Sequence, residues 1–549
     1  MVRNLLTLLY SRQTSILSGA FIIMTTVILS KILGLVRDRL LAHVFSPDTV
    51  AIFFAAFRLP DLIFQLLILG ALSVAFIPVF TEYHEDKGRE GAYDMARAIL
   101  NLSLLILTIS AIVIYIFAPY ITALIVPGFT PDQRAEVVSL TRIILIGQII
   151  LTVGSFFIGI LQSFQRFIVP AFAAVFYNVG IIIGIVFLSG PFGIKGAAFG
   201  VIIGAMLHAL IQFPLIWSMG FRFKLPLQLF HPGVKEIMKL MSMRTIGLAA
   251  EQINETFGII LASLVSTASV TYLTFAQHLQ VVPIGLFGAT LAQAALPILS
   301  SERAKGRIEE FKITLLTTMH QILFLSLPAI AILIVLRIPV VRLVFGASQF
   351  DWTATVLTGA TLAYLSIGLA AQAVSLLLVR GFYALKDTKT PVIVSLIVVL
   401  VNIALSFYFI LGLHLAVWSI GLAYSISALL SGVLLFLALH FKVGKFELGL
   451  VLGPLIKMLM ATIIMGVALY IPIKLLDQVI FDTTRTINLL VLTGLSSIFA
   501  LFVYIVLVWY MKVRELGTFL NLAKEIVRKI RLGPGSLKTK EMIHETDAP

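Results

Sequence analysis

Residues 30–45 read SKILGLVRDRLLAHVF and extend an apolar run, LSGAFIIMTTVIL, long enough to begin a membrane helix. Lys31, Arg37, Asp38 and Arg39 all fall before that helix ends. An ionisable group inside a bilayer costs about 2.5–3.5 kcal/mol on insertion scales, so it must face an aqueous cavity or reach an interface. Lys31 and Asp38 are seven residues apart, nearly on one helix face, where the carboxylate can balance the amine. Arg37 and Arg39 flank that line. Lys31 and Arg37 are expected to turn toward a wet cavity, and Arg39 to reach the interface. The alternative is an interfacial cluster of Arg37, Asp38 and Arg39 with snorkelling stems.

Two further groups could do chemistry. Arg58 and Asp61 bracket Pro60 in the next apolar segment. A proline inside a helix frees backbone groups and often marks a hinge, so the three residues form a candidate charged gate or a structural ion pair. Glu251 and Glu255 stand one helical turn apart in a segment that also holds Arg244, Gln252 and Asn254. Paired carboxylates there are a candidate site for coupling to a proton or a monovalent cation, or else a hydrated polar patch. His208, His320 and Arg142 read as structural residues.

The elements that carry these groups follow from composition. Of 549 residues 60% are hydrophobic and 12% charged, with a mean hydropathy of +1.06. A soluble chain could not hide so much apolar surface. Spans of roughly 20 apolar residues number about fourteen: 16–44, 51–80, 95–120, 137–162, 167–189, 194–218, 236–265, 269–299, 311–336, 353–380, 391–412, 415–440, 454–475 and 487–511. The expected fold is an all-α polytopic membrane protein. No small-residue cleavage site follows the first apolar run, so no cleavable signal is expected. There are no cysteines, which excludes disulfides and thiolate metal sites. The net charge of +14 is assigned to basic loops rather than to nucleic-acid binding. With the N-terminus inside, about 27 of the 40 Lys and Arg lie on the cytoplasmic side, Arg3 and Arg12 among them. Both termini are therefore expected in the cytoplasm. The basic tail begins as an amphipathic helix able to lie on anionic lipid.

The two halves echo each other. FIPVFTEYHEDKGR (76–89) matches ALPILSSERAKGR (295–307), aligning Lys87-Gly88-Arg89 with Lys305-Gly306-Arg307. QRFIVPAF around Pro170 matches KDTKTPVI around Pro391, each followed by an asparagine, Asn178 or Asn402. The offset covers six expected helices, an even number, so the repeat is parallel. The resulting plan is an N-lobe at 1–225, a C-lobe at 226–445, two extra helices at 446–511 and a basic tail at 512–549. Paired lobes of this kind suit alternating access, with gene duplication without surviving transport as the alternative.

Several of these stretches resemble the MurJ (MviN) family of lipid II flippases, within the multidrug/oligosaccharidyl-lipid/polysaccharide exporter superfamily. They are SKILGLVRDRLLAHVF, AAFRLPDLIFQLLILGALSVAFIPVFTEY, VPGF, QRFIVPAFAAVFYNV, EQINETFGIILASLVSTASVTYLTFAQHL, ALPILS and RGFYALKDTKTP, in that order. The resemblance implies a flippase of the bacterial cytoplasmic membrane that carries undecaprenyl-diphosphate-linked peptidoglycan precursor from the inner to the outer leaflet. It implies a polyprenyl-diphosphate substrate, contact with membrane lipids, wall-synthesis enzymes as candidate partners, and no cofactor. It also implies a lipid-tail groove at the last two helices. Arg37 matches a cavity arginine of the family's first helix, and Lys31 stands where another arginine is usual, keeping charge but losing the bidentate fork. Elsewhere the chain departs from the pattern. An acidic residue at the start of helix 2 has no counterpart near Ala51 and Ile52. Phe64 and Leu69 replace an arginine and a glutamate. His278 replaces an arginine on helix 8.

Those departures set the function readings. Lys31, Arg37, Arg58 and His278 are the candidate substrate-binding residues, since cations in a wet cavity can neutralise a diphosphate. His278 would do so only while protonated. Lipid II flipping is the first reading, flipping of another polyprenyl-linked glycan the second, and a transport-inactive scaffold for wall synthesis the third. A membrane glycosyltransferase would need a large outward loop, which the chain lacks. An ATPase would need a Gly-rich phosphate loop with its lysine, also missing. Transport would then draw on an ion gradient or the membrane potential.

Overall fold

The computed structural model describes residues 16–69, 76–224, 231–346, 348–479, 485–521 and 524, and every regular element among them is helical. Arg3, Arg12, the Arg244 side chain and the 512–549 tail beyond residue 521, residue 524 excepted, lie outside the described residues. The principal helices in chain order are α1 (Ile16–Val44), α2 (Pro47–Phe64), α3 (Ile77–Ile125), α4 (Pro131–Ser163), α5 (Ile168–Ile183), α6 (Ile194–Leu210), α7 (Pro232–Val265) and α8 (Thr267–Pro283). They continue with α9 (Ile308–Val335), α10 (Arg337–Phe345), α11 (Trp352–Ile367), α12 (Leu369–Ala384), α13 (Lys389–Phe407), α14 (Trp418–Lys442), α15 (Leu448–Val479) and α16 (Thr486–Tyr510).

Among the described residues eleven helices are long and apolar enough to cross a membrane, or twelve if α11 and α12 make one span. The expectation of about fourteen includes 16–44 and 236–265. Both regions are helical, as α1 and α7, and both include side chains outside the described set. On α3 the side chains of Ile109, Ile112, Ile116 and Leu124 are exposed, an apolar face that lipid must cover. The chain is a multi-pass, all-α membrane protein.

The helix starts are written locally. Ser46 accepts from the Thr49 amide at 3.4 Å, with Pro47 in the first turn. Thr130 and Gln133 bond reciprocally to each other's backbone at 3.3 and 3.0 Å ahead of α4. Asp351 accepts from the Ala354 amide at 2.8 Å ahead of α11. The loop expected near residues 84–90 is instead a break inside α3, at Gly88 with φ 69°. Its repeat partner Gly306 has φ 71°. Neither has a neighbour that a Cβ would strike, so the left-handed backbone is what requires glycine at both.

Among the described residues four complete π-helical turns interrupt the apolar helices, at Gln65–Leu69, Gly184–Leu188, Ile284–Ala289 and Tyr408–Gly412. They fall into two pairs at the repeat spacing, so the local backbone repeats as well as the letters.

The chain forms two compact units. One contains Met1–Val282, Arg337–Leu369 and Asp387–Leu435; the other contains Pro283–Leu336, Ala370–Lys386 and Phe436–Pro549. Neither is a continuous half of the chain. In the first unit α5 and α6 lie backbone to backbone, because a Cβ on Gly180 would meet Gly204 at 2.2 Å and one on Gly184 would meet Gly200 at 2.4 Å. Small residues at helical spacing permit this approach, and the approach fixes α5 and its Asn178. In the second unit the Phe324 ring packs against Tyr504 and Phe519, and the Tyr504 hydroxyl donates to the Phe324 carbonyl at 3.1 Å.

Candidate functional site

All of the candidate residues belong to the first unit. At its centre Asp38 is 1% exposed. Arg37, its neighbour in sequence, turns back along α1 and donates to Asp38 Oδ1 from Nε at 3.0 Å and Nη2 at 2.8 Å. The remaining oxygen, Oδ2, lies 2.7 Å from His278 Nδ1 on α8. Arg37 also donates from Nη1 to Asn178 Oδ1 on α5 at 3.3 Å. Asn178 is itself held, donating to the Ser30 carbonyl and hydroxyl and to the Ala174 carbonyl. The buried carboxylate therefore has a cation on one oxygen and an imidazole on the other. Three of the five N–H groups of Arg37 are engaged among the described residues, which leaves two for an incoming oxygen.

Lys31 is exposed and makes no ion pair among the described residues. Spacing alone sets it against Asp38, but Asp38 pairs with Arg37 and His278 instead. The physical reason is distance along the axis: seven residues rise about 10.5 Å, whereas the Arg37 stem reaches the adjacent carboxylate directly. Arg39 has partners of its own on a neighbouring helix. It donates to the Leu343 and Val344 carbonyls at 2.7 and 3.3 Å, capping the C-terminal turn of α10. A cation there satisfies carbonyls that have no helical partner.

Arg58 is 5% exposed and is held by α7 through four of its five N–H groups. Its Nη1 donates to Glu255 Oε2 at 2.8 Å and its Nε to the Thr256 hydroxyl at 2.8 Å. Its Nη2 serves both the Gln252 carbonyl and Gln252 Oε1. The expected pairing with Asp61 does not form, because α7 offers four acceptors that fit the guanidinium fork. Arg58 therefore has one N–H left, too few to hold a diphosphate in this arrangement. Pro60 is buried and α2 runs on through it, departing from α geometry only at Gln65–Leu69. Asp61 is half-buried. Of the carboxylate pair, Glu255 is taken by Arg58, while Glu251 is exposed without an ion pair among the described residues. Asn402 on α13 donates to Asn254 Oδ1 at 2.6 Å, and these two line a crevice with Ser406 and Tyr424.

Charge and spacing on single helices bring forward the ionisable members of these clusters. They miss Thr256, and the roles of Gln252 as an acceptor for Arg58 and of Asn178 as the rest for Arg37. A signal for Asn178 does exist in the chain. It lies 148 residues from Ser30, the same interval that separates Asn402 from Asn254.

The family model described as lipid II flippase MurJ matches residues 41–491. The chain belongs to the MurJ family. A MurJ relative from Vibrio cholerae serotype O1, named a probable lipid II flippase, is 31% identical over 78% of this chain and 83% of its own length. A solved MurJ flippase in an inward closed conformation superposes with a TM-score of 0.74 at 26% identity, covering 89% of this chain and 98% of that one. An inward-facing multidrug resistance transporter of the MATE family, in the MOP superfamily, shares the fold at a TM-score of 0.65 and 16% identity, covering 75% of this chain and 94% of that one. Of the cluster, His278 on α8 falls inside the matched residues, while Arg37 and Asp38 on α1 stand just ahead of them.

Proposed function

We propose that this chain moves lipid II, the undecaprenyl-diphosphate-linked peptidoglycan precursor, from the inner to the outer leaflet of the bacterial cytoplasmic membrane. The family match supports the substrate class. The observation that carries the reading to residues is Arg37, buried enough to be fixed by Asp38 and Asn178 yet with two N–H groups unengaged. A guanidinium held in this way presents donors to phosphate oxygens without further ordering. Lys31, exposed two turns earlier on α1, adds a mobile point charge.

The remaining parts of the scheme belong to the same proposal. Residues 1–225 and 226–445 act as lobes in alternating access, and 446–511 supply a groove for the lipid tail. Both termini face the cytoplasm, in keeping with the excess of Lys and Arg there. The driving force is a gradient or the membrane potential, worth about 2.3 kcal/mol per charge per 100 mV. Glu251 is the carboxylate left for proton or monovalent-cation coupling, with Glu255 joining it whenever Arg58 lets go. Wall-synthesis enzymes are the proposed partners.

A second reading, flipping of another polyprenyl-linked glycan, is favoured by Phe64, a buried apolar residue where the family resemblance leads to an arginine. Complementation separates the readings. In cells depleted of their own lipid II flippase, the wild-type chain should restore growth and clear inner-leaflet precursor, and Arg37→Ala should do neither. Failure of a well-expressed wild type would move the assignment to the other glycan. Rescue by both would take Arg37 out of the mechanism.

A further inference from the structure

Asp38 divides its two oxygens between unlike partners. Oδ1 takes the Arg37 fork and Oδ2 takes His278 Nδ1, which is the only hydrogen bond of that ring among the described residues. The His278 side chain is 33% exposed, and its Nε2 has no hydrogen-bond partner among the described residues. With the imidazole neutral, the Asp38 carboxylate cancels the Arg37 charge and the cluster is neutral as a whole. Because Nδ1–H is spent on the carboxylate, Nε2 then presents a lone pair, which repels a phosphate oxygen. Protonation changes both properties together. The cluster gains one positive charge, and Nε2 becomes an N–H donor pointing outward.

Among the described residues Asp38 has no ion-pair partner besides Arg37 and His278, and the next titratable groups are Tyr177 of α5, within electrostatic range of Arg37, and Asp61 of α2, within range of Tyr177. From α1 the groups facing His278 are Asp38 and Arg37. From α2 it is the Phe54 ring, edge-on at 5.8 Å. The helix α8 itself, TASVTYLTFAQHLQVVP, has no other charged residue. From α10, Phe345 stacks on Phe275 at 4.1 Å while Arg342 lies over Trp352. From α11, which has no charged residue, the Leu365 carbonyl accepts from Gln280.

We infer that His278 is a proton-dependent element of the head-group site: its protonation gives the Arg37–Asp38–His278 cluster its net positive charge and its outward donor, so that a diphosphate binds with the imidazole charged and is released when the proton leaves. This rests on the reading of the cluster as an anion site and specifies how that site is switched.

The test is binding of geranylgeranyl diphosphate to the full chain in nanodiscs of zwitterionic lipid. Wild type, His278→Gln and His278→Arg would be compared at about pH 5.5 and about pH 8. The wild type should bind about tenfold more tightly at the lower pH. His278→Arg should bind tightly at both values, and His278→Gln weakly at both. The ionisation of the probe contributes equally to all three, so the variants' pH ratios isolate the imidazole. A His278→Gln variant that keeps the wild-type ratio, or a wild type with equal affinities, would overturn the inference and leave the anion site standing. No binding by wild type or His278→Arg at either pH would overturn the anion site, and the inference with it.

Discussion

Helices α1 and α5, and helices α7 and α13, are two versions of one helix pair. In each, an asparagine on the later helix donates to a side chain 148 residues earlier, Asn178 to Ser30 and Asn402 to Asn254. Counting on from those two partners, the next residue is Lys31 in one pair and Glu255 in the other. The fourth is Gly34 or Gly258, and the seventh is Arg37 or Leu261. Both glycines have room for a side chain: a Cβ on Gly34 would lie 4.0 Å from Asn178 Oδ1 and one on Gly258 3.7 Å from the Leu273 side chain, ordinary contact distances. Spacing and backbone are alike, while charge is not. The first pair holds a cation with N–H groups to spare, and the second holds a carboxylate already bound to Arg58. Packing between membrane helices favours small residues and polar contacts, and neither fixes the sign of the charge beside them.

The comparison can be broken in several places. The largest effect is expected from Asp38→Ala, which leaves Arg37 without its buried partner and should cost about 3–5 kcal/mol. Thermal melting in nanodiscs would show it, and an unchanged melt would mean the first pair is not organised around its charge. Next is Gly180→Ala. Its Cβ would meet the Gly204 backbone at 2.2 Å, so about 1–3 kcal/mol of overpacking should appear in the same melt. Asn178→Ala and Asn402→Ala should each cost about 1 kcal/mol of stability. Only Asn178→Ala should also lower flipping, by about tenfold, because only it frees a cation proposed to meet the substrate; equal transport losses would erase the distinction between the pairs. The smallest effect is expected from Glu255→Gln. That carboxylate is 43% exposed, and its loss should cost about 0.5–1 kcal/mol. A melt lowered by as much as for Asp38→Ala would show that the second pair is equally charge-dependent.

Much of this architecture is legible in the chain. Hydropathy yields the helical membrane class, and the paired Lys-Gly-Arg and asparagine marks yield a repeat whose glycines at 88 and 306 share one backbone conformation. The polar partners are harder to read. Helical spacing sets Lys31 with Asp38 and Arg58 with Asp61, since it reports only which residues share a face. Which neighbouring helix arrives, and in what register, decides that Arg58 meets Glu255 and Gln252 instead. The neutral acceptors escape any search by charge. The equal Ser30–Asn178 and Asn254–Asn402 intervals are visible in the letters, but only a contact gives them meaning.

Arg39 has a mechanical consequence. By gripping two carbonyls at the end of α10, it ties that nine-residue helix to α1. Phe345 of α10 lies flat on Phe275 of α8, and α8 returns to α1 through His278 and Asp38. The three helices thus close a triangle, as struts do in a truss. A triangle resists shear that a single joint would allow, so α1 cannot slide along α8 without breaking an ion pair, a helix cap or an aromatic stack. Movement that reaches this corner of the protein must turn it as a block.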